Sequence, residues 1–348
     1  MEYAKIESPY YCGIDLHSRS MYVCIIDQKG KKLFHRNLEN SKDGLREILE
    51  PYGSDIAVGV ESTYNWYWVA DTCAEMNTLF YLGHALYMRA IQVDKFKDDE
   101  RDSQKIADLM RAGLFPKAYV YPKEMRATRD LLRRRQRYAL MRGEGFTHLQ
   151  QLFAQEGKID PMRNAVRHKT NRWNLPDQLE GEDISVSARC DLDHIEAIDR
   201  IMLDLESQIL KQARHHDPKI LALLLTIPGV GKIIGLTILY ETHQIERFPR
   251  PQNYASYCRL VPSKHSSSGK NVGGGNSKIG NAYLKNAFTE IISVSQRVSE
   301  PIKKTYERLK SKHGIMKARG IMARRFNTTV YYMLKNAKGF DVDQFVNT

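Results

Sequence analysis

A run of short apolar segments separated by turn residues constrains the fold of the first third of this sequence. A helix capped by Ser41 interrupts the run, and the turn Asp27–Gly30 suits a hairpin between the second and third segments. Three consecutive strands followed by alternating strands and helices favour an α/β domain of RNase H-like (RuvC-like) order over a doubly wound sheet. The predicted strands are Tyr10–Leu16, Met21–Asp27, Lys32–Leu38, Ile56–Glu61 and Thr78–Leu82, with helices near Trp66–Met76 and Asp99–Ala112.

Four acidic residues fall where such a strand order would gather them. Asp15 and Glu61 each end an apolar strand, and Asp99 and Asp102 share one face at the start of a helix. Carboxylates that converge repel one another unless they hold a cation, and oxygen ligands suit divalent ions. The pattern predicts a Mg²⁺ or Mn²⁺ site for chemistry on phosphodiesters, with the neighbouring Asp98 as an alternative ligand to Asp99.

The charge balance points to a polyanionic partner. The chain has a formal net charge of +12 and a pI of about 9.3. This excess of positive charge favours nucleic-acid binding over a merely basic soluble protein. The length of 348 residues favours two or three domains.

Five scattered cysteines without a Cys-x-x-Cys pair argue against structural zinc and predict reduced thiols in a cytoplasm. No apolar run has the length of a membrane span, so we expect no membrane partner.

Residues 121–216 have the pattern of a helical arm. A long helix over 123–156 is followed by a polar, proline-containing segment over 157–189, which predicts a loop or bent tip, and by a second helix over 192–215. Apolar residues three and four apart in that second helix predict either an intramolecular helical hairpin or an oligomerisation helix. We interpret a group of arginines on the first helix as contacts to nucleic-acid phosphates: Arg126, Arg129, Arg133, Arg134, Arg135 and Arg137.

Residues 217–348 are predicted to be mostly α-helical and to contain a helix-hairpin-helix-like motif. Gly229 and Gly231 permit a tight turn, after which Lys232 opens an apolar helix. The amides at the start of that helix would bind a phosphate of the DNA backbone, although a connector that serves packing alone has the same pattern. A basic stretch near the end of the chain, which includes Arg324 and Arg325, is a further candidate for nucleic-acid contact.

The segment 262–281 is rich in glycine and serine and carries Lys264, Lys270 and Lys278. Such a composition is typical of a flexible polar linker. The lysines also suit a phosphate backbone, and a serine within the segment would become a nucleophile if nearby charge or metal lowered its pKa. The two interpretations predict a passive connector and an active-site segment, respectively.

Taken together, these motifs resemble the DEDD transposases of the insertion-sequence 110 group, with its 1111 subgroup. That family is related to the Piv DNA invertases and comprises bridge-RNA-guided recombinases. The resemblance covers nearly the whole chain and rests on the following motifs: Gly13-Ile14-Asp15, Val60-Glu61-Ser62-Thr63-Tyr64, Lys97-Asp98-Asp99-Glu100-Arg101-Asp102-Ser103, Ile227-Pro228-Gly229-Val230-Gly231, Leu260-Val261-Pro262, Ser266-Ser267-Ser268-Gly269-Lys270 and Ser277-Lys278-Ile279-Gly280.

The resemblance implies a RuvC-like metal-binding domain over 1–120, a coiled-coil arm over 121–216 and a transposase domain over 217–348. It implies that Asp15, Glu61, Asp99 and Asp102 form the metal-binding tetrad. With Pro262 as anchor, the family's nucleophilic serine falls on Ser267, and Ser266 and Ser268 remain as substitutes.

The partners implied are target and donor DNA and a structured bridge RNA, bound by a tetramer organised as a dimer of dimers that acts at the nucleoid. The expected activity is cutting and rejoining of DNA through a covalent phosphoserine intermediate. Two rival interpretations remain at this point. A metal-dependent, structure-specific nuclease would use water instead of serine, and a nucleic-acid scaffold would use neither.

Overall fold

A computed structural model describes residues 3–91, 99–158, 172–261, 265–267, 270–273 and 279–347, with the backbone alone for 89–91, 99, 265–267 and 270–273. The chain divides into two compact units, residues 1–124 and 125–348. This division groups the predicted arm with the C-terminal helices. The three-domain boundaries inferred from the sequence therefore stay a prediction.

Unit 1 contains a five-stranded sheet with the order β4-β3-β2-β5-β6. The first three of these strands form an antiparallel meander, and β5 and β6 run parallel to β2. A short pair, β1 and β7, is antiparallel. The strands are β1 (Tyr3–Ala4), β2 (Tyr10–Leu16), β3 (Ser20–Asp27), β4 (Lys32–Glu39), β5 (Ile56–Glu61), β6 (Leu79–Gly83) and β7 (Phe115–Pro116).

Helices cover both faces of this sheet. One face packs against α1 and α2, whose buried residues include Leu45, Leu49 and Cys73. The other face packs against α4 through Ile106 and Met110. The helices are α1 (Lys42–Leu49), α2 (Tyr67–Glu75), α3 (Ala85–Ile91) and α4 (Asp99–Arg111), with a 3₁₀ segment at Glu50–Asp55.

The predicted α/β character of this unit is confirmed, and the predicted strands and helices begin and end close to the expected residues. The short elements β1, α3 and β7 were not predicted. The Ser41 hydroxyl accepts a hydrogen bond from the Gly44 amide at 3.0 Å, which confirms the predicted helix cap. Strong local signals explain the agreement. The strands β2, β3 and β5 are short, largely continuous apolar runs bounded by polar or turn residues.

In unit 2, α5 (Lys123–Gln155) and α6 (Glu182–Ala213) form an antiparallel helical hairpin. Apolar residues near the tip form one cluster that includes Phe153, Leu175 and Ile195. Ion pairs link the two helices at matching levels: Arg135–Glu206, Arg142–Asp199 and His148–Asp191. The intramolecular alternative is therefore confirmed. The predicted start of the second helix was about ten residues late, because the helix begins at Glu182 within a segment predicted to be a polar loop.

The remainder of unit 2 is helical apart from one strand pair. Its helices are α7 (Pro218–Leu225), α8 (Lys232–Thr242), α9 (Pro251–Tyr257), α10 (Ala282–Val298), α11 (Glu300–His313), α12 (Ile315–Asn336) and α13 (Val342–Asn347), with 3₁₀ segments at Pro176–Gln178 and Ile245–Arg247. Strands β8 (His265–Ser267) and β9 (Lys270–Gly273) are antiparallel. The mostly α-helical prediction for this region is confirmed. The two strands were not predicted, because their Gly- and Ser-rich segment has the composition of a flexible linker.

None of the helices in the described parts of the chain is long and apolar enough to cross a membrane. All five cysteines are free thiols, and only Cys190 is exposed.

Candidate active site and nucleic-acid interface

The acidic residues of β2 and β5 lie at the same edge of the sheet. The two strands pair in parallel up to Ile14 and Val60, so Asp15 and Glu61 follow side by side. Because side chains alternate along a strand, both acids point to the face that carries Gly13 and Gly59. That face is the one covered by α4.

Helix α4 brings its first turn towards these strand ends. A Cβ added at Gly13 would lie 2.5 Å from the Ala107 amide nitrogen and closer still to the Ser103 carbonyl oxygen. Only glycine permits so close an approach of helix to strand. The last residue of α4, Arg111, lies against Gly30 in the β3–β4 turn, with its Cζ 3.4 Å from a Cβ built there. The helix start, with Asp102 and the backbone of Asp99, therefore lies towards the opposite end of the sheet, which holds Asp15 and Glu61.

The described carboxylates at this edge have partners within the protein. Asp15 pairs with His17 (Oδ2 to Nε2, 3.2 Å), and Asp102 pairs with Lys105 (Oδ1 to Nζ, 3.4 Å). No three His, Cys, Asp or Glu side chains among those described are close enough together to hold a metal. The side chain of Asp99 and the whole of Asp98 lie outside the described residues.

The donor chemistry of this edge nevertheless fits a divalent ion. Carboxylate oxygens on two adjacent strand ends and on one helix start are hard ligands, and both paired carboxylates are only partly exposed, at 13% for Asp15 and 16% for Asp102. The sequence pattern did not draw attention to His17 and Lys105. A histidine two residues after the strand-end aspartate was the signal for the first of them.

The backbone of Ser267 lies in β8, opposite Lys270 of β9. The strand pair also contains Ser266, whereas Lys264, Ser268 and Lys278 lie outside the described residues. A paired strand gives the predicted nucleophile a defined backbone conformation, which a flexible linker would not.

The arginines predicted to contact phosphates fall into three groups. Arg126 is buried, and Arg129 and Arg133 both bind Glu241 of α8 (Nη2 to Oε2, 2.9 Å, and Nε to Oε1, 2.6 Å). Arg135 pairs with Glu206. The third group, Arg134 and Arg137, is exposed, so these two remain the candidates for phosphate contact on α5.

Glu241 is the centre of a buried polar cluster. It is 1% exposed and also accepts a hydrogen bond from Asn281 Nδ2 at 2.7 Å, and Arg133 stacks on the Tyr283 ring at 4.7 Å. Burial alone would raise the pKa of Glu241. The hydrogen bond from Arg133 and the charges of Arg129 and Arg133 outweigh burial and hold its pKa below the usual range.

The predicted helix-hairpin-helix-like motif corresponds to α7, a short turn and α8. Gly229 has φ +78°, a conformation that favours glycine, and a Cβ there would lie 2.7 Å from the Val294 carbonyl oxygen. The Ser295 hydroxyl donates to the Pro228 carbonyl at 2.7 Å. Gly231 and Lys232 are exposed at the start of α8, where amides are available to an anion.

The predicted basic residues of α12 carry charge that the protein does not balance. Arg325 donates to the Phe345 carbonyl at 3.3 Å, and neither Arg324 nor Arg325 forms an ion pair with a described carboxylate. Burial, together with the charge of Arg308, lowers the pKa of Arg325. Excess positive charge of this kind favours a polyanionic partner.

Comparison with known proteins finds two transposase domains in the chain. Residues 12–156 match the DEDD transposase domain of IS110 elements, and residues 221–307 match the transposase family IS116/IS110/IS902. The protein named as transposase y4qE of Sinorhizobium fredii is 24% identical over 89% of this chain and 82% of its own length. The transposase for insertion sequence element IS1111A of Coxiella burnetii is 23% identical over 78% of this chain and 74% of its own.

Proposed function

We propose that this enzyme, a DNA transposase that carries both domains of the IS110-family transposases, cuts and rejoins DNA through a covalent phosphoserine intermediate on Ser267. One observation carries the proposal. The four acidic residues fall in the first matched domain and Ser267 falls in the second, so the two matched domains together contain every residue type that the proposed reaction needs. The three-strand meander followed by parallel strands further supports a RuvC-like assignment of unit 1.

In the proposed reaction the Ser267 hydroxyl oxygen attacks the phosphorus of a phosphodiester. The hydroxyl proton passes to a base, the Oγ–P bond forms, the bond from phosphorus to one sugar oxygen breaks, and that oxygen leaves as a hydroxyl group after taking up a proton. Attack by a hydroxyl end of another strand then reverses the step and frees the serine. Neither step consumes an oxidant or a nucleotide cofactor.

Divalent-metal use is a property that the DEDD family suggests for this chain. Asp15, Glu61, Asp99 and Asp102 are the residues that would hold the ion, Mg²⁺ or Mn²⁺. When bound, such an ion polarises the phosphate and stabilises negative charge on its oxygens. The exposed Arg134 and Arg137, the α8 start, and Arg324 and Arg325 of α12 would bind and orient the nucleic-acid backbones.

Replacement of Ser267 tests the nucleophile directly. We expect the wild-type protein, mixed with DNA carrying its element ends and Mg²⁺, to form a covalent protein–DNA adduct visible on a denaturing gel. Ser267→Ala should form none and should lose strand transfer completely while still binding DNA. Asp15→Asn should lose the adduct as well, because the metal site would lack a ligand. The exposed Ser256 supplies a matched control, and Ser256→Ala should react normally.

Two results would contradict this mechanism. Full strand cleavage by Ser267→Ala, with no adduct in the wild type, would indicate hydrolysis by metal-activated water. Loss of the adduct in Ser266→Ala or Ser268→Ala, together with normal activity of Ser267→Ala, would indicate that the neighbouring serine is the nucleophile.

We further propose that a bridge RNA pairs with target and donor DNA and that the active protein is a tetramer. The excess of basic residues supports an RNA partner in addition to DNA. We expect protein purified from cells that contain its element to carry one discrete small RNA encoded next to its gene. Recovery of random RNA fragments only, or full activity after complete RNase digestion, would contradict guidance by RNA.

A further inference from the structure

A cavity of about 340 Å³ opens between α10, α11 and α12, outside every site discussed so far. Its volume is at the lower end of the range for small-molecule and nucleotide sites. Seven residues line it: Ile292, Ser293, Gln296 and Arg297 from α10, Lys303 and Tyr306 from α11, and Arg319 from α12.

The charge of this cavity is uncompensated. None of the lining residues carries a carboxylate, and neither Arg297 nor Arg319 forms an ion pair within the described parts of the chain. Lys303 has a long, exposed contact with Glu300 at 3.7 Å, which contributes little. Three cations around one cavity repel one another, and an anion held between them relieves that repulsion.

The shape and the donors of the cavity suit a phosphodiester. Arginine presents a planar fork of N–H donors that matches phosphate oxygens, and two arginines come from different helices. Ser293 adds a hydroxyl, and the Gln296 amide is fixed by its hydrogen bond to the Ile292 carbonyl at 2.9 Å. Tyr306 is buried and, with Ile292, forms an apolar wall on which a sugar can pack.

This cavity is distinct from the glycine turn before α8, which is the other candidate for phosphate binding in these helices. Val294 and Ser295 of α10 contact Gly229 and Pro228 of that turn. At 3.6 residues per turn, the cavity residues 292, 293, 296 and 297 lie on a different face of α10 from 294, 295 and 298. One helix therefore separates the two sites.

We propose that the cavity between α10, α11 and α12 is a second phosphate-binding site, which holds one phosphodiester group and its sugar from a bound nucleic-acid strand. The inference rests on the proposed function in one respect, that the partner is nucleic acid. It does not depend on Ser267 or on the metal site. DNA and RNA strands offer the same phosphodiester, and the experiment separates them.

The test is the affinity of the full-length protein for three fluorescent oligonucleotides at several salt concentrations: single-stranded DNA, duplex DNA and single-stranded RNA. We expect Arg297→Gln with Arg319→Gln to weaken binding of at least one of them about tenfold or more, because two charge-assisted contacts are lost. The slope of log affinity against log salt should fall by about one, as for the loss of one phosphate contact.

A control double variant removes the same number of positive charges from two of the helices that form the cavity. Lys304 and Lys317 lie on α11 and α12, are exposed and do not line the cavity. Lys304→Gln with Lys317→Gln should change the affinity less than threefold. The oligonucleotide whose affinity falls selectively in the cavity variant identifies the type of nucleic-acid strand that the cavity binds.

Equal losses of oligonucleotide affinity in the two double variants would overturn the proposed site, since the change in net charge alone would explain them. Wild-type affinity in the Arg297→Gln, Arg319→Gln variant would overturn it as well. Failure of the wild-type protein to bind any of the three probes would overturn the proposed function as well. Normal probe binding by the cavity variant, with a normal Ser267 adduct, would overturn this inference alone.

Discussion

Replacing Glu241 by glutamine should lower the free energy of unfolding of unit 2 by about 3 kcal/mol or more. The side chain keeps its shape, so no cavity forms, but Arg129 and Arg133 lose the carboxylate that binds both of them. Removing one partner from a buried ion pair typically costs about 3–5 kcal/mol, since the remaining charges stay desolvated. Urea unfolding followed by the far-ultraviolet circular dichroism of the helices measures the effect.

Glu206 provides the control for this substitution. It pairs with Arg135, another arginine of α5, but is 29% exposed against 1% for Glu241. Glu206→Gln should therefore cost less than about 1 kcal/mol. Equal costs for the two variants would contradict the assignment of Glu241 as the buried anchor between α5 and α8.

The effect of Glu241 should also depend on pH. Its pKa in the folded protein is lowered, so its contribution is fully present above the unfolded-state pKa of about 4.3. The contribution is lost as the pH falls through the folded-state pKa. The difference in unfolding free energy between wild type and Glu241→Gln should accordingly narrow below about pH 4, and a constant difference would argue against the ionised form as the stabilising species.

Replacing Gly13 by alanine should cost about 3 kcal/mol in the stability of unit 1, at the upper end of overpacking effects. The new methyl group would overlap the Ser103 carbonyl and the Ala107 amide, both of which are backbone atoms of α4. Relief requires the helix to move away from β2, and Asp102 moves with it. We therefore expect loss of DNA cleavage in addition to the loss of stability.

Gly59 is the matched control, because it pairs with Gly13 on the neighbouring strand. A methyl group there would overlap the sulfur atom of Met110, the flexible end of a side chain that is able to move. Gly59→Ala should cost only about 1 kcal/mol. Tryptophan fluorescence, to which Trp66 and Trp68 in the core of unit 1 contribute, reports the unfolding of both variants. A smaller loss for Gly13→Ala than for Gly59→Ala would contradict the proposed backbone contact.

The fold of unit 1 was predictable because each element carries its own local signal. Asp15 and Glu61 could be placed at one sheet edge from strand order alone. The convergence of α4 on Gly13 was not predictable, since a glycine within a strand does not identify the helix that approaches it. The strands β8 and β9 were missed because glycine has low strand propensity and the segment lacks an alternating apolar pattern.

The arginines of α5 show a second limit of sequence interpretation. Their density correctly indicated an unusual helix, but it did not distinguish charges that face solvent from charges that bind the protein. Glu241 lies 108 residues after Arg133 in sequence and in an apolar stretch. Nothing local to either residue indicates the pair.

The ion pairs that link α5 and α6 fix the register of the two helices, and thereby the length of the arm. A slip of one helix by a turn would separate Arg135 from Glu206 and Arg142 from Asp199 at the same time, and Asp199 would also lose its second partner, Arg172. The helices are therefore held in one register. With 32 residues in α6, the arm is about 48 Å long. Whatever binds at its tip is kept at that distance from whatever binds at its base.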